Sequence, residues 1–144
     1  MDPNADKTFA AKHPSSSKVD PKIEAAIKGK ASSGKIACAV AFDIVHRLSV
    51  SAEDVGRTID LLNLHLTKCQ LGLFGYQPDK KIVTPAPAID PQVEASIREA
   101  SIDNRLACHK AWEIASHFGI RKMVVSSACE ALAIKVKPCQ LGAF

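Results

Sequence analysis

Residues 43–60, DIVHRLSVSAEDVGRTID, have a counterpart seventy positions later in residues 113–130, EIASHFGIRKMVVSSACE. The correspondence extends without a gap to residues 20–74 and 90–144, which both begin with Asp-Pro and both end with Cys-Gln-Leu-Gly-x-Phe. A repeat of this length is a strong guide to the fold, because each copy has to form the same structural unit. The sequence therefore predicts two tandem domains of one kind.

Each repeat carries the signals of three short helices. Asp20-Pro21 and Asp90-Pro91 each supply an N-cap and a proline that suits the first helical turn. Apolar residues then recur at helical spacing. These patterns predict first helices that end near residues 30 and 100, second helices over 35–48 and 105–118, and third helices over 52–62 and 122–132.

The spacing of apolar residues changes at the end of each repeat. In LHLTKC at 64–69 and IKVKPC at 134–139 apolar and polar residues alternate, which predicts a short strand. Pairing of these two strands with each other would relate the repeats by a pseudo-two-fold axis. The predicted fold is mainly α, with two tandem three-helix repeats that each end in a short β-strand.

Two segments fall outside the repeats. Residues 1–19 have no hydrophobic periodicity and contain a serine run, so they are predicted to be a disordered tail. Three prolines between residues 76 and 89 predict an extended linker. The expected organisation is a tail over 1–19, a first helix-turn-helix repeat over 20–75, the linker over 76–89 and a second repeat over 90–144.

Composition and the absence of certain motifs argue against a membrane protein and against an enzyme. The formal net charge of +4 is spread along the chain without a basic block, so charge permits nucleic-acid binding but does not argue for it. Neither a signal peptide nor a membrane-spanning apolar run is visible, so a cytoplasmic protein without a membrane partner is expected. We find no nucleophile–base pair, phosphate loop or paired carboxylates. Neither an enzyme nor a bound cofactor is expected.

The segments 43–60 and 113–130 carry a recognisable local pattern. The second has Ala115, Gly119, Ile120 and Val125 where a helix-turn-helix needs a small residue, a turn, an apolar residue and a buried branched residue. The first has Val45, Ser49, Val50 and Val55 at those places, so Ser49 must adopt a left-handed conformation. Both segments resemble the helix-turn-helix of lactose-repressor-type regulators. The resemblance implies that the third helix of a repeat enters a DNA major groove.

The function expected from this resemblance is DNA-binding transcriptional regulation. The exposed side of the third helix should carry Glu53, Asp54, Arg57 and Asp60 in the first repeat, and Lys122, Met123, Ser126, Ser127 and Glu130 in the second. The second is better suited to phosphates, and the predicted contacts to double-stranded DNA are Arg57, Arg121, Lys122, Ser126 and Ser127. The alternative is a protein-interaction or scaffold module in which the same helices bind a protein partner. A homodimer is compatible with either hypothesis.

The cysteines raise a third hypothesis. Cys38, Cys69, Cys108 and Cys139 form two equivalent pairs, and four thiolates could bind zinc or an iron–sulfur cluster or sense redox state. No CxxC spacing anchors two of them locally, and Cys38 and Cys108 lie in apolar helix stripes where cysteine packs as a small hydrophobe. Buried thiols in a reducing compartment are therefore the favoured interpretation.

The duplicated Cys-Gln-Leu-Gly-x-Phe motif is interpreted as structural. Leu71 and Phe74, with their counterparts Leu141 and Phe144, are expected to fold back on the core, and the glycines make the turn. Gln70 and Gln140 have no evident core role, which leaves a hydrogen-bonding task open for them.

Overall fold

A computed structural model of the chain describes residues 19–143. This part of the protein is mainly helical, as predicted, and divides after Lys68 into two compact units. The tail expected over residues 1–19 lies outside the described residues except for Val19, and so does Phe144.

The first unit is built from three helices and two strands. Its elements are α1 (Pro21–Lys30), β1 (Lys35–Ala37), α2 (Cys38–Leu48), α3 (Ala52–Leu61) and β2 (His65–Thr67). The Asp20 side chain accepts a hydrogen bond from the backbone N–H of Lys22 at 2.8 Å, which confirms the predicted helix start. Ile23, Ile27 and Ile44 are fully buried at the centre of this unit.

The second unit has the same order of elements. They are α4 (Pro91–Ala100), β3 (Arg105–Leu106), α5 (Cys108–Phe118), α6 (Lys122–Ala131) and β4 (Lys135–Val136). Asp90 caps α4 through a hydrogen bond from the backbone N–H of Gln92 at 2.8 Å. The core of this unit is formed by small and branched side chains, including Ile97, Leu106 and Val125, all of which are fully buried.

The strands pair differently from the expectation. β1 pairs in parallel with β2, with Lys35 opposite His65, and β3 pairs in parallel with β4, with Arg105 opposite Lys135. The prediction that the two terminal strands pair with each other is therefore wrong. So is the helical assignment of residues 35–37 and 105–106. Parallel strands need a crossover connection, and here the two helices that lie between the paired strands of each unit provide it.

The segment between β2 and α4, residues 69–90, packs within the second unit; we call it the connecting segment. Cys69 and Leu71 are buried in the same hydrophobic cluster as Ile97 and Leu106. The sequence assigned residues 69–75 to the first repeat, and Leu71 was expected to fold back on that repeat's core. In the structure Leu71 instead completes the core of the second unit.

Gly72 shows how closely the connecting segment approaches α6. Its φ of +74° lies in the left-handed region, and a Cβ atom at this position would lie 3.0 Å from the Met123 sulfur. Glycine therefore meets both the conformational and the steric requirement of the turn. Over residues 19–143, none of the helices is both long enough and apolar enough to span a bilayer.

Candidate functional site

The turn between α5 and α6 has the geometry that the sequence predicts. Gly119 adopts the left-handed conformation with φ 64° and ψ 33°. The N–H of Ile120 donates to the Ala115 carbonyl at 3.0 Å, and this bond closes the end of α5. Val125 of α6 is fully buried, as the motif requires. The local arrangement of helix, turn and helix is thus present in the second unit.

The corresponding turn in the first unit confirms the conformation expected of Ser49 and shows that Ser51 caps the next helix. Ser49 has φ 52° and ψ 46°, so a non-glycine residue accepts the left-handed conformation. The Ser51 hydroxyl accepts a hydrogen bond from the N–H of Asp54 at 3.0 Å and caps α3. These serines stabilise the turn and the start of the helix.

The connecting segment covers the outward side of α6. The Ser126 hydroxyl donates to the Leu71 carbonyl at 2.7 Å, and the Ser127 hydroxyl donates to the Thr84 carbonyl at 2.5 Å. The Ser127 carbonyl in turn accepts from the N–H of Ala86 at 3.0 Å. One side of the helix that should read DNA is therefore hydrogen-bonded to the chain's own backbone.

Two side chains expected on the exposed side of a third helix are buried. Ser126 has 0% of its surface exposed, and Asp60 has 8%. Their placement by the sequence was wrong, because the helical periodicity does not reveal what packs against the outward side. Glu130 is also engaged: its carboxylate forms an ion pair with Lys81 of the connecting segment at 2.7 Å.

The N-terminal end of α6 remains accessible. Arg121 is exposed and occupies the N-cap position without a side-chain hydrogen bond to the helix, and the first turn contains no acidic residue. The Lys122 ammonium lies over the Trp112 ring, 4.5 Å from its centroid. Arg57, the remaining predicted DNA contact, is ion-paired with Asp54 at 2.6 Å within the first unit.

A groove of about 1340 Å³ lies between the connecting segment, α5 and α6. We call it the Trp112 groove. Its walls are largely apolar, and its charged members are the carboxylates Asp90 and Glu113 and the cations Arg121 and Lys122, which stand at the start of α6. The apolar side chains that line it include Ile82, Trp112, Phe118, Ile120, Met123 and Val124. Ile82 and Val124 are 42% and 41% exposed, so the groove presents apolar surface to solvent.

The sequence does not show that Trp112 lines a groove. In the sequence it is one of several apolar residues of the predicted second helix. A usable signal was present, because the chain holds a single tryptophan and the first repeat has Phe42 at the matching position. Tryptophan combines a large apolar surface with a polar N–H, which makes it frequent at binding surfaces.

Four of the five cysteines are buried, Cys38 in the first unit and Cys69, Cys108 and Cys129 in the second, and Cys139 is half-buried. All five cysteines of the chain carry thiols, and burial raises the pKa of Cys69. Burial also raises the pKa of Cys108 and of Cys129 to about 11. The Gln140 amide donates to the Cys108 sulfur at 3.4 Å, which gives this glutamine the hydrogen-bonding task that the sequence left open. Across residues 19–143, no group of three or more Cys, His, Asp or Glu is placed to hold a metal ion.

The raised thiol pKa values predict a loss of stability at alkaline pH. In the unfolded chain these thiols ionise near their ordinary pKa of 9.0, whereas in the folded protein Cys108 and Cys129 ionise at about 11. The unfolded state therefore binds fewer protons above pH 9, and the free energy of unfolding falls between about pH 9 and pH 11. We expect a contribution on the order of 2 kcal/mol from each thiol. Denaturant titrations monitored by Trp112 emission across this range measure it.

The control for this prediction is Cys129→Val, which keeps an apolar side chain of similar size. The variant should lose the part of the alkaline slope that belongs to Cys129, with little change in stability below pH 8. An unchanged slope between pH 9 and 11 would show that the Cys129 thiol does not ionise on unfolding in this range.

Comparison with known proteins gives no relative from which a role could be transferred. No family model, no curated protein and no solved structure matches the chain.

Proposed function

We propose that this chain is a protein-interaction module built on a helix-turn-helix fold, and that the Trp112 groove is its binding surface. The main support for this proposal is that the connecting segment occupies the outward side of α6, while the groove beside it exposes apolar side chains. A partner that covers this surface stabilises the complex by roughly 25 cal/mol per Å² of apolar surface that becomes buried.

The test removes apolar surface from the groove without touching the core. Peptides are first selected from a random displayed library on the full chain. Affinity of the selected peptides is then measured on the double variant Val124→Gln, Ile82→Gln by the change in Trp112 emission. Both side chains are more than one-third exposed, so the fold should be retained.

We expect the double variant to bind roughly thirtyfold more weakly, because each substitution removes about 1 kcal/mol of apolar contact and the two together remove about 2 kcal/mol. The matched control is Ile102→Gln, a 75% exposed isoleucine of the same unit that does not line the groove. Equal affinity of the wild type and the groove variant would overturn the proposal.

DNA-binding regulation, the function expected from the helix-turn-helix resemblance, is the second candidate. The observation that favours it is the exposed N-terminal end of α6, where Arg121 and Lys122 adjoin backbone N–H groups that suit a phosphate. The remaining predicted contacts weaken it. Ser126 is buried, Ser127 is bonded to the connecting segment, and Arg57 is paired with Asp54.

The two candidates differ in their response to DNA. A protein-interaction module should give no electrophoretic shift with a random-sequence duplex at low salt. A DNA-binding protein should bind under these conditions, because phosphate contacts dominate non-specific affinity and weaken steeply as salt rises. A salt-dependent shift that Arg121→Ser abolishes would replace the first candidate by the second.

A further inference from the structure

The charges at the Trp112 groove are unevenly balanced. Glu113, which lines the groove, is paired with Lys110 at 3.3 Å. Asp90, also on the lining, accepts the capping hydrogen bond of α4. By contrast, neither Arg121 nor Lys122 forms an ion pair with a carboxylate in the part of the chain that the structure describes. The groove therefore combines an apolar wall with two cations that have no carboxylate partner among the described residues.

The N-terminus of α6 adds a partial positive charge to these two cations. A helix N-terminus carries a partial positive charge, which an acidic side chain in the first turn can balance. α1, α3 and α4 have such a residue, whereas α2, α5 and α6 have none, and of these three only α6 begins with two cations, Arg121 and Lys122. The cations and the helix end favour the same ligand, one that brings negative charge.

Resting on the proposed function, we infer that the Trp112 groove takes an acidic amphipathic peptide segment of another protein. Its apolar side chains cover Trp112, Ile120 and Val124, and its Asp or Glu side chains lie against Arg121 and Lys122. Such a peptide would bury the apolar side chains of the groove and also pair its carboxylates with Arg121 and Lys122. A nucleic-acid backbone would supply negative charge but would leave the apolar wall uncovered.

The first repeat of the same chain supports this assignment by contrast. In place of Arg121, Lys122 and Val124 it has Ser51, Ala52 and Asp54. Ser51 caps its helix and Asp54 pairs with Arg57, so the helix start is neutralised within the unit. The pair of cations at the start of α6 is thus specific to the second unit and is not required by the fold.

The test varies the peptide and keeps the full chain unchanged. A tryptophan-free peptide selected on the full chain is synthesised in three versions, with its acidic residues kept, replaced by Gln, or replaced by Lys. Binding is followed by Trp112 emission at low and at physiological salt. We expect the Gln version to bind about tenfold more weakly, the Lys version not to bind, and the acidic version to weaken as salt rises.

Equal binding of the acidic and Gln versions would overturn the inference while leaving the apolar groove as a binding surface. Loss of all peptide binding when a random DNA duplex is added would overturn it in favour of nucleic acid. Sedimentation that shows a concentration-dependent dimer, together with failure of every selected peptide to change Trp112 emission, would assign the groove to a second copy. A selection without any groove-dependent peptide would contradict the proposed function itself.

Discussion

Replacing Arg121 by Ser and Lys122 by Ala in one variant is expected to lower the affinity for acidic peptides by roughly tenfold to a hundredfold. Both cations line the groove, and neither has a carboxylate partner among the described residues. Their removal eliminates two attractive contacts and leaves the apolar wall in place. Titration of Trp112 emission with a selected acidic peptide measures the loss.

The serine and alanine that are introduced occur at the matching positions of the first repeat, Ser51 and Ala52, so the same local fold already accommodates them. Serine at the N-cap should also stabilise α6 by about 1 kcal/mol, because its hydroxyl can accept a hydrogen bond from the first turn. The variant is therefore expected to be at least as stable as the wild type. A weakened affinity cannot then be attributed to unfolding.

The matched control is Lys135→Ser, Lys137→Ala, which removes the same charge from exposed positions of the second unit that do not line the groove. This control should bind within about twofold of the wild type, since distant exposed charges are screened by salt. An equal loss of affinity in both variants would mean that net charge, and not the position of Arg121 and Lys122, governs binding.

Leu71→Ala is expected to destabilise the second unit by roughly 2–5 kcal/mol, the range typical of a leucine truncated in a packed core. Leu71 is fully buried in the cluster that contains Ile97, Leu106 and Val125. Because the only tryptophan belongs to this unit, denaturant unfolding monitored by Trp112 emission should show the loss directly. The control Leu48→Ala, at a 36% exposed position of the first unit, should leave this transition unchanged.

Leu71→Ala also tests the assignment of the Cys-Gln-Leu-Gly-x-Phe motif. If Leu71 belonged to the core of the first repeat alone, as the sequence suggested, the substitution would leave the Trp112 transition in place and alter only the remaining helical signal. A shift of the Trp112 transition to lower denaturant is expected instead.

Local signals in the sequence predicted the helices well. Capping by Asp20 and Asp90, the left-handed turns at Ser49 and Gly119, and the burial of Val125 all follow from residues close together in the chain. Such features depend on backbone geometry and on the side chains of one or two turns. They can therefore be read without knowing the tertiary contacts.

The features that the sequence did not yield depend on distant residues. Ser126 has the spacing of an exposed position and is nevertheless buried, because Leu71, fifty-five positions earlier, packs against it. The partner of each terminal strand is likewise a segment about thirty residues away. Alternation of apolar and polar residues identifies a strand but does not identify its neighbour.

The candidate groove was missed for the same reason. Its walls come from the connecting segment, α5 and α6, and only their packing shows that Ile82, Trp112 and Val124 share a surface. The sequence did indicate that the start of the second repeat's third helix is basic where the first repeat's is acidic. In the structure, the basic residues of this helix start, Arg121 and Lys122, line the Trp112 groove.

We propose that the second unit binds protein through the Trp112 groove and not DNA through α6. The most direct measurement is a pair of titrations of the full chain at low salt, followed by Trp112 emission and by electrophoretic mobility, one with a selected acidic peptide and one with a random DNA duplex. We expect a saturable change in Trp112 emission with the peptide, and neither an emission change nor a mobility shift with the duplex. A salt-dependent mobility shift with the duplex, and no response to the peptide, would contradict this proposal.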